Sequence, residues 1–140
     1  MEGPTGKHIV LILARELAVN IATPLFIVDA AGTLVFYNES AEILLGRPFR
    51  ATGELPADQW SQLFRAESVD GTPLAADDRP LTTALQTLRP THRTMVIISG
   101  DGERRNLVIT AYPLLATADR AVGAIAIFWE ARDGETGWDV

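Results

Sequence analysis

Few residues of this 140-residue chain have a type and spacing that could support catalysis or metal binding. The absence of cysteine excludes disulfides, zinc–thiolate sites, iron–sulfur sites and thiol nucleophiles. Asp77 and Asp78 are adjacent carboxylates, but a charge pair at the N-terminus of a helix explains them more simply than a metal site does. The sequence contains no P-loop, no zinc-protease motif and no Ser-His-Asp order. We predict that the chain is not an enzyme and holds no metal.

The composition indicates a single globular domain with an acidic surface. Eighteen acidic residues against 12 basic ones give a net charge of −6 and a pI near 4.8, which should repel nucleic acid. A hydrophobic content of 47% is enough to form a core at this length. The longest apolar run, Ile9–Leu13, is far too short to span a membrane, and no signal-peptide cleavage pattern follows it. We therefore expect a cytoplasmic domain that binds neither nucleic acid nor membrane.

The C-terminal third predicts three antiparallel strands, at Arg93–Ser99, Arg104–Leu115 and Ala121–Ala131. Each run is rich in β-branched and aromatic residues. The turns Gly100-Asp101-Gly102 and Ala118-Asp119-Arg120 are too short to contain a crossover helix. The three strands therefore form a meander.

Both faces of this predicted sheet are apolar. Side chains alternate between the two faces of a strand. In the last strand, one face carries Ala124, Ala126 and Phe128, and the other carries Ile125, Ile127 and Trp129. A sheet with one face in water should alternate apolar and polar residues, so each face of this one needs a cover.

The segment Lys7–Ile21 predicts an amphipathic helix that ends before Pro24. Its polar residues share one sector, and its apolar arc, which includes Ile9, Leu13 and Leu17, is wider than one packing contact requires. We infer that the helix lies on the sheet with part of this arc and meets a second subunit with the rest. The alternative, a helix buried within its own domain, is equally compatible with the pattern.

The middle of the chain predicts a hairpin followed by several short helices. Asn38 should cap one helix, which Gly46 ends, and Pro80 should begin another, which stops before Pro90. The predicted elements are the strands Leu25–Asp29 and Leu34–Asn38, the helix Glu39–Leu45, short helical pieces within Arg50–Ala75, and a helix from Pro80 to about Leu88. The order of elements predicts an α+β fold, in which a five-stranded antiparallel sheet carries short helices on one face and the N-terminal helix on the other.

This arrangement resembles the PAS domain, a small sensory module of bacterial signalling proteins, over residues 20–133. The motifs that carry the resemblance are Phe26-Ile27-Val28-Asp29-Ala30-Ala31-Gly32, Leu34-Val35-Phe36-Tyr37-Asn38, Asn38-Glu39-Ser40-Ala41-Glu42 with Leu45-Gly46, Asp70-Gly71-Thr72-Pro73-Leu74 with Arg79-Pro80-Leu81, Asp101-Gly102, Ala111-Tyr112-Pro113-Leu114 and Val122-Gly123-Ala124. The resemblance divides the chain into an N-terminal cap helix (residues 1–20), a PAS core (21–132) and a C-terminal tail (133–140). It implies a ligand cavity between sheet and helices and a cap that often dimerises.

One motif of the family differs in this sequence. The C-terminal junction of PAS domains usually reads Asp-x-Thr, whereas the equivalent positions here are Glu130-Ala131-Arg132. No kinase, cyclase or DNA-binding module is present in the sequence. We therefore expect a signal to pass to a separate partner or to a downstream effector region absent from this chain.

The resemblance also bears on cofactors. The flavin-binding, light-sensing branch of the family needs a reactive cysteine, and its flavin-contacting amide positions correspond to Ile97, Leu107 and Phe128, which cannot hydrogen-bond a flavin ring. A flavin held by other contacts stays open. Haem would need an axial histidine; a solvated or capping role explains His8 and His92 better, although His92 lies near the usual region of the ligand.

The sequence is compatible with two functions. One is a sensor that binds a small apolar ligand, such as a fatty acid; the other is a ligand-free dimerisation or interaction module with a packed core. The predicted ligand-facing residues are Phe26, Val28, Met95, Ile97, Leu107, Ile109 and Phe128. The predicted homodimer interface contains Ile9, Leu13, Leu17, Ile125, Ile127 and Trp129.

Overall fold

A computed structural model describes residues 8–99 and 102–131, and the predictions for the first seven residues, the Gly100-Asp101 turn and the tail lie outside these ranges. The described residues form α1 (Ile9–Val19), β1 (Leu25–Asp29), β2 (Leu34–Tyr37), α2 (Glu39–Leu45), α3 (Phe49–Thr52), α4 (Ala57–Leu63), β3 (Arg65–Glu67), a 3-10 turn (Ala76–Asp78), α5 (Pro80–Thr87), β4 (Thr91–Ile98), β5 (Arg104–Thr117) and β6 (Arg120–Glu130). No helix among them is both long and apolar enough to cross a membrane.

The strands form one antiparallel sheet in the order β2-β1-β6-β5-β4-β3. The β4-β5-β6 meander is present as predicted, and the N-terminal hairpin joins it through β1 and β6, where Phe26 is opposite Ala126. The predicted α+β class with an antiparallel sheet is confirmed, but the predicted count of five strands was wrong. The sixth strand is β3, at the edge of the sheet.

Strand β3 lies within a segment for which the sequence predicted short helical pieces. It has three residues, of which Ala66 is buried, and it pairs with the end of β4, with Arg65 opposite Ile98. Three residues are too few to display the alternation by which strands are recognised in a sequence. The strand exists because its backbone completes hydrogen bonds on the edge of β4, which is a tertiary effect.

The two faces of the sheet pack against different helices. The inner face, which includes Phe26 and Phe128, packs against α2, α4 and α5. The outer face packs against α1, whose buried residues Leu11, Ala14 and Ala18 contact a cluster that contains Ile27. The described structure therefore has the two covers that an apolar sheet requires.

Helix α1 begins and ends at side chains that hydrogen-bond its backbone. His8 caps the start, where its Nδ1 accepts a hydrogen bond from the N–H of Val10 at 3.1 Å. The helix ends at Val19, earlier than Pro24 alone would require. The reason is Asn38, whose Nδ2 donates to the carbonyl oxygens of Ala18 at 3.0 Å and Ile21 at 3.2 Å.

Helix α2 has the two ends that the sequence predicted. Asn38 caps its start, because its Oδ1 accepts a hydrogen bond from the N–H of Ala41 at 3.1 Å. Gly46 ends it with a φ of 73°, in the left-handed region that favours glycine. Helix α5 begins at Pro80, as predicted, and its last turn closes on Leu88.

Candidate functional site

A cavity of about 60 Å³ lies between the inner face of the sheet and the helices. The sheet contributes Phe26, Met95, Ile97, Leu107, Ile109, Ala126 and Phe128 to its wall. The helices and their connections contribute Leu45, Trp60, Phe64, Arg79, Pro80 and Leu81. The wall is apolar except at Arg79, so the site favours an apolar group and offers one charged group among its described lining residues.

The cavity contains most of the residues that the sequence predicted to face a ligand. Phe26, Met95, Ile97, Leu107, Ile109 and Phe128 all line it. Val28 is fully buried in the same apolar cluster but is not part of the wall. These residues meet because cross-strand neighbours share a face, as Ile109 and Phe128 do across β5 and β6.

An aromatic cluster contributes Phe26, Trp60 and Phe64 to the wall of the cavity. The ring of Phe26 stacks on Tyr37 with centroids 5.7 Å apart and meets Trp60 edge-on at 5.2 Å. The Tyr37 hydroxyl hydrogen-bonds the carbonyl of Arg47 at 2.8 Å and Oγ1 of Thr52 at 2.7 Å. Burial raises the pKa of Tyr37, so the hydroxyl keeps its proton at neutral pH. The cluster anchors α2 and α3 to the sheet beside the cavity.

Arg79 is the functional candidate that the sequence analysis missed. Its Nη1 donates to the carbonyl oxygen of Phe64 and its Nη2 to that of Ser61, both at 2.7 Å. Burial lowers the pKa of Arg79 to about 10, which still leaves it charged at neutral pH. In the sequence, Arg79 belongs to a helix start and to the Arg79-Pro80-Leu81 motif of the PAS resemblance, neither of which assigned it a role in ligand binding. The one available signal is a cation placed directly before the apolar pair Pro80-Leu81.

The size of the cavity limits what it can hold as it stands. Sites for drug-sized ligands are typically roughly 300–1,000 Å³, and one water needs at least about 10–15 Å³. A volume of about 60 Å³ suits a molecule of a few heavy atoms. A larger ligand would have to displace wall residues, of which Met95 has the most adaptable side chain.

Neither histidine lies at the cavity. His8 caps α1, and His92 is exposed on β4, opposite Thr110. Thr110 alternates with Ile109 and Ala111, which belong to the inner cluster, so His92 shares the outer face with Thr110. Within residues 8–99 and 102–131, no group of three or more His, Asp or Glu side chains could hold a metal ion.

The outer side of α1 carries an exposed apolar stripe. Ile9, Leu13 and Leu17 are 60%, 60% and 58% exposed. Of the other residues predicted for a dimer interface, Ile125 and Ile127 are half-buried against the α1 cluster, and Trp129 is 36% exposed. Ile12 and Val19, which the predicted interface did not include, are exposed on α1 as well. Part of the predicted interface is thus covered by α1 of the same chain.

The chain has a curled antiparallel sheet with a cavity between its inner face and the short helices, and a further helix packs on its outer face. This is the architecture of PAS domains. The family model for the PAS fold matches residues 20–134. The chain belongs to the PAS-fold family, which confirms the resemblance seen in its motifs.

Solved structures of PAS and LOV domains share the fold. The PAS domain of nitrogen regulation protein NR(II) from Vibrio parahaemolyticus is 21% identical, with a TM-score of 0.60, and the match covers 85% of this chain and 98% of that one. The LOV protein of Rhodobacter sphaeroides is 15% identical, with a TM-score of 0.70 and coverages of 91% and 71%. The LOV domain of a blue-light activated histidine kinase from Erythrobacter litoralis is 16% identical, with a TM-score of 0.59 and coverages of 79% and 96%. Among curated proteins, none matches this chain significantly.

Proposed function

We propose that this PAS domain is the sensory part of a cytoplasmic bacterial signalling protein. In this proposal it pairs with a second copy of itself through α1 and the adjoining outer face of the sheet. A small apolar molecule in the cavity regulates that pairing, and the signal passes to a separate partner or effector. The observation that carries the proposal is the exposed apolar stripe on α1, since the inner side of the same helix is already buried against its own sheet.

The geometry of the stripe suits an identical partner. Ile9, Leu13 and Leu17 are four residues apart, so they form a ridge along the helix that can pack into the grooves of another helix. Arg15 lies on another side of the helix, where its guanidinium is 4.7 Å from the ring centre of Phe36, and the charged residue that borders the ridge is the exposed Glu16. Full burial of each ridge residue would contribute about 1.5–3 kcal/mol. In a two-fold dimer every residue of the ridge acts twice.

We expect Leu13→Glu to dissociate the dimer. The substitution places a charge at the centre of the ridge in both subunits, and dimer affinity should fall at least about a hundredfold. Sedimentation velocity across micromolar concentrations measures this directly. Ile43→Glu is the matched control, because Ile43 is a 71% exposed residue on α2 rather than on the ridge of α1, and this variant should remain dimeric. A wild-type chain that is monomeric at high micromolar concentration would refute the pairing.

The cavity supports the ligand part of the proposal through its almost wholly apolar wall. Its small volume favours the alternative function, a ligand-free dimerisation or interaction module. The two differ in whether the interior can be occupied without loss of stability. A ligand that binds only the folded state stabilises that state by about 2.7 kcal/mol when its free concentration is a hundred times its Kd.

We expect apolar molecules to raise the thermal midpoint of the wild-type chain and of Met95→Leu, but not of Ala126→Val. The valine side chain fills the cavity, whereas leucine conserves the volume of methionine. Thermal unfolding with a panel of small hydrocarbons and fatty acids tests this, together with mass spectrometry of denatured protein for molecules that co-purify. No shift and no co-purifying molecule would favour the ligand-free module.

A further inference from the structure

Arg79 lies in the wall between the cavity and a second, open pocket of about 350 Å³. The second pocket, here called the outer pocket, is bounded by the end of α4, by β3 and by Pro73 and Leu74. Arg79 is 5% exposed, and its guanidinium lies 5.6 Å from the ring centre of Trp60, which lines the cavity. The same cation therefore borders an apolar cavity on one side and an open pocket with several polar residues on the other.

The hydrogen bonds of Arg79 leave its charge uncompensated. The two carbonyl oxygens at the end of α4 accept from Nη1 and Nη2, but Nε is buried without a hydrogen-bond partner. No carboxylate within residues 8–99 and 102–131 forms an ion pair with Arg79. Buried charges in proteins are normally paired with an opposite charge, because carbonyl dipoles satisfy the donors without neutralising the ion.

The surrounding charges also favour an incoming anion. Glu67, the only acidic residue of the outer pocket, is paired with Arg104 at 2.8 Å. Arg65 adds a second, exposed positive charge to the same pocket. Asp77 and Asp78 precede Arg79 in the chain, but both are exposed. Neither of them lines the cavity or the outer pocket. An anion at Arg79 would thus meet two cations and one carboxylate that is already paired.

We propose that Arg79 binds the carboxylate of a small amphiphilic ligand whose apolar part occupies the cavity, an assignment that rests on the ligand-binding part of the proposed function. A carboxylate can accept from Nε–H and an Nη–H of one guanidinium at the same time, which uses the donor that has no partner. A single buried guanidinium suits a planar, monovalent group. The volume of the cavity restricts the apolar part to a few carbons or to one partly inserted ring.

The test compares carboxylic acids with alcohols of the same carbon skeleton. Butanoate, hexanoate and phenylacetate are titrated against the full-length chain beside butanol, hexanol and 2-phenylethanol, with calorimetry or NMR to measure Kd. The wild-type chain should bind each acid about tenfold more tightly than its alcohol. In Arg79→Gln this preference should disappear while the affinity for the alcohols is retained. Arg65→Gln, the rim control, should keep most of the preference.

A second measurement needs no variant. The Nε–H resonance of Arg79 in the wild-type NMR spectrum should move downfield when an acid is added and stay in place with the alcohol, because only the acid supplies a strong acceptor. This covers the case in which Arg79→Gln fails to fold. If acids and alcohols bind equally well and the resonance does not respond, the role of Arg79 is refuted while the apolar site stands. If neither class binds, the ligand-binding part of the proposed function fails as well.

Discussion

Replacing Asn38 with alanine should destabilise the domain by at least about 3 kcal/mol. The side chain is 2% exposed, and its Oδ1 accepts from the N–H groups of Leu25 and Ala41. Its Nδ2 donates to the carbonyl oxygens of Ala18, Ile21 and Thr23. Alanine would remove all of these hydrogen bonds. The carbonyl of Ala18 would keep the N–H of Ile21, but the buried N–H groups of Leu25 and Ala41 would lose their acceptor, and each buried polar group that loses its partner costs about 1–3 kcal/mol. Urea denaturation followed by circular dichroism measures the loss.

The chemistry of Asn38 can be separated from its size. Asn38→Asp keeps the shape and the cap of α2, but it turns a donor that faces three carbonyl oxygens into an acceptor, so its cost should equal or exceed that of alanine. Ser40→Ala is the mild control. It removes one hydrogen bond to the carbonyl of Ala22 and should cost about 1 kcal/mol. A loss below about 1 kcal/mol in Asn38→Ala would show that α1, β1 and α2 do not depend on this side chain.

Replacing Gly123 with alanine should have the second large effect, a loss of about 3 kcal/mol. A Cβ added at this buried position would lie 2.3 Å from the carbonyl oxygen of Val28 and 2.7 Å from Cδ2 of Leu11. The leucine side chain can rotate away, but the oxygen belongs to the backbone of β1, which pairs with β6 at this point. The clash therefore separates the two strands that join the N-terminal hairpin to the meander. Denaturant unfolding measures the loss.

Two comparisons isolate lack of space as the cause. Gly53→Ala places a Cβ where no atom lies within 4 Å, so its cost is only the backbone strain of a φ of 66° and a ψ of −172°, a region that essentially only glycine adopts, at about 1–3 kcal/mol. Leu11→Ala in the Gly123→Ala background should behave non-additively, because it removes one of the two obstructing groups. If Gly123→Ala costs less than about 1 kcal/mol, the close approach of α1 and β1 to Gly123 is not limiting.

Local patterns in the sequence were enough to predict most elements of the fold. Asn38 and Gly46 mark the ends of α2 because a capping side chain and a left-handed glycine act on their immediate neighbours. The apolar alternation in β6 predicted a sheet covered on both faces, and α1 and the other helices supply the two covers. Each of these features is determined by residues that are close together in the sequence, and this is the range over which a single sequence is informative.

Tertiary structure alone decided the rest. Strand β3 forms only because the edge of β4 lies beside it, and α1 ends where the side chain of Asn38, distant in sequence, reaches its carbonyls. Arg79 forms part of a helix start in the sequence, and only its hydrogen bonds to the end of α4 and its burial beside Trp60 make it a buried cation next to an apolar cavity. Burial, the absence of a counter-charge and the volume of a cavity are properties of residues brought together from far apart. No local pattern in the chain encodes them, because each depends on the whole set of neighbours that folding assembles.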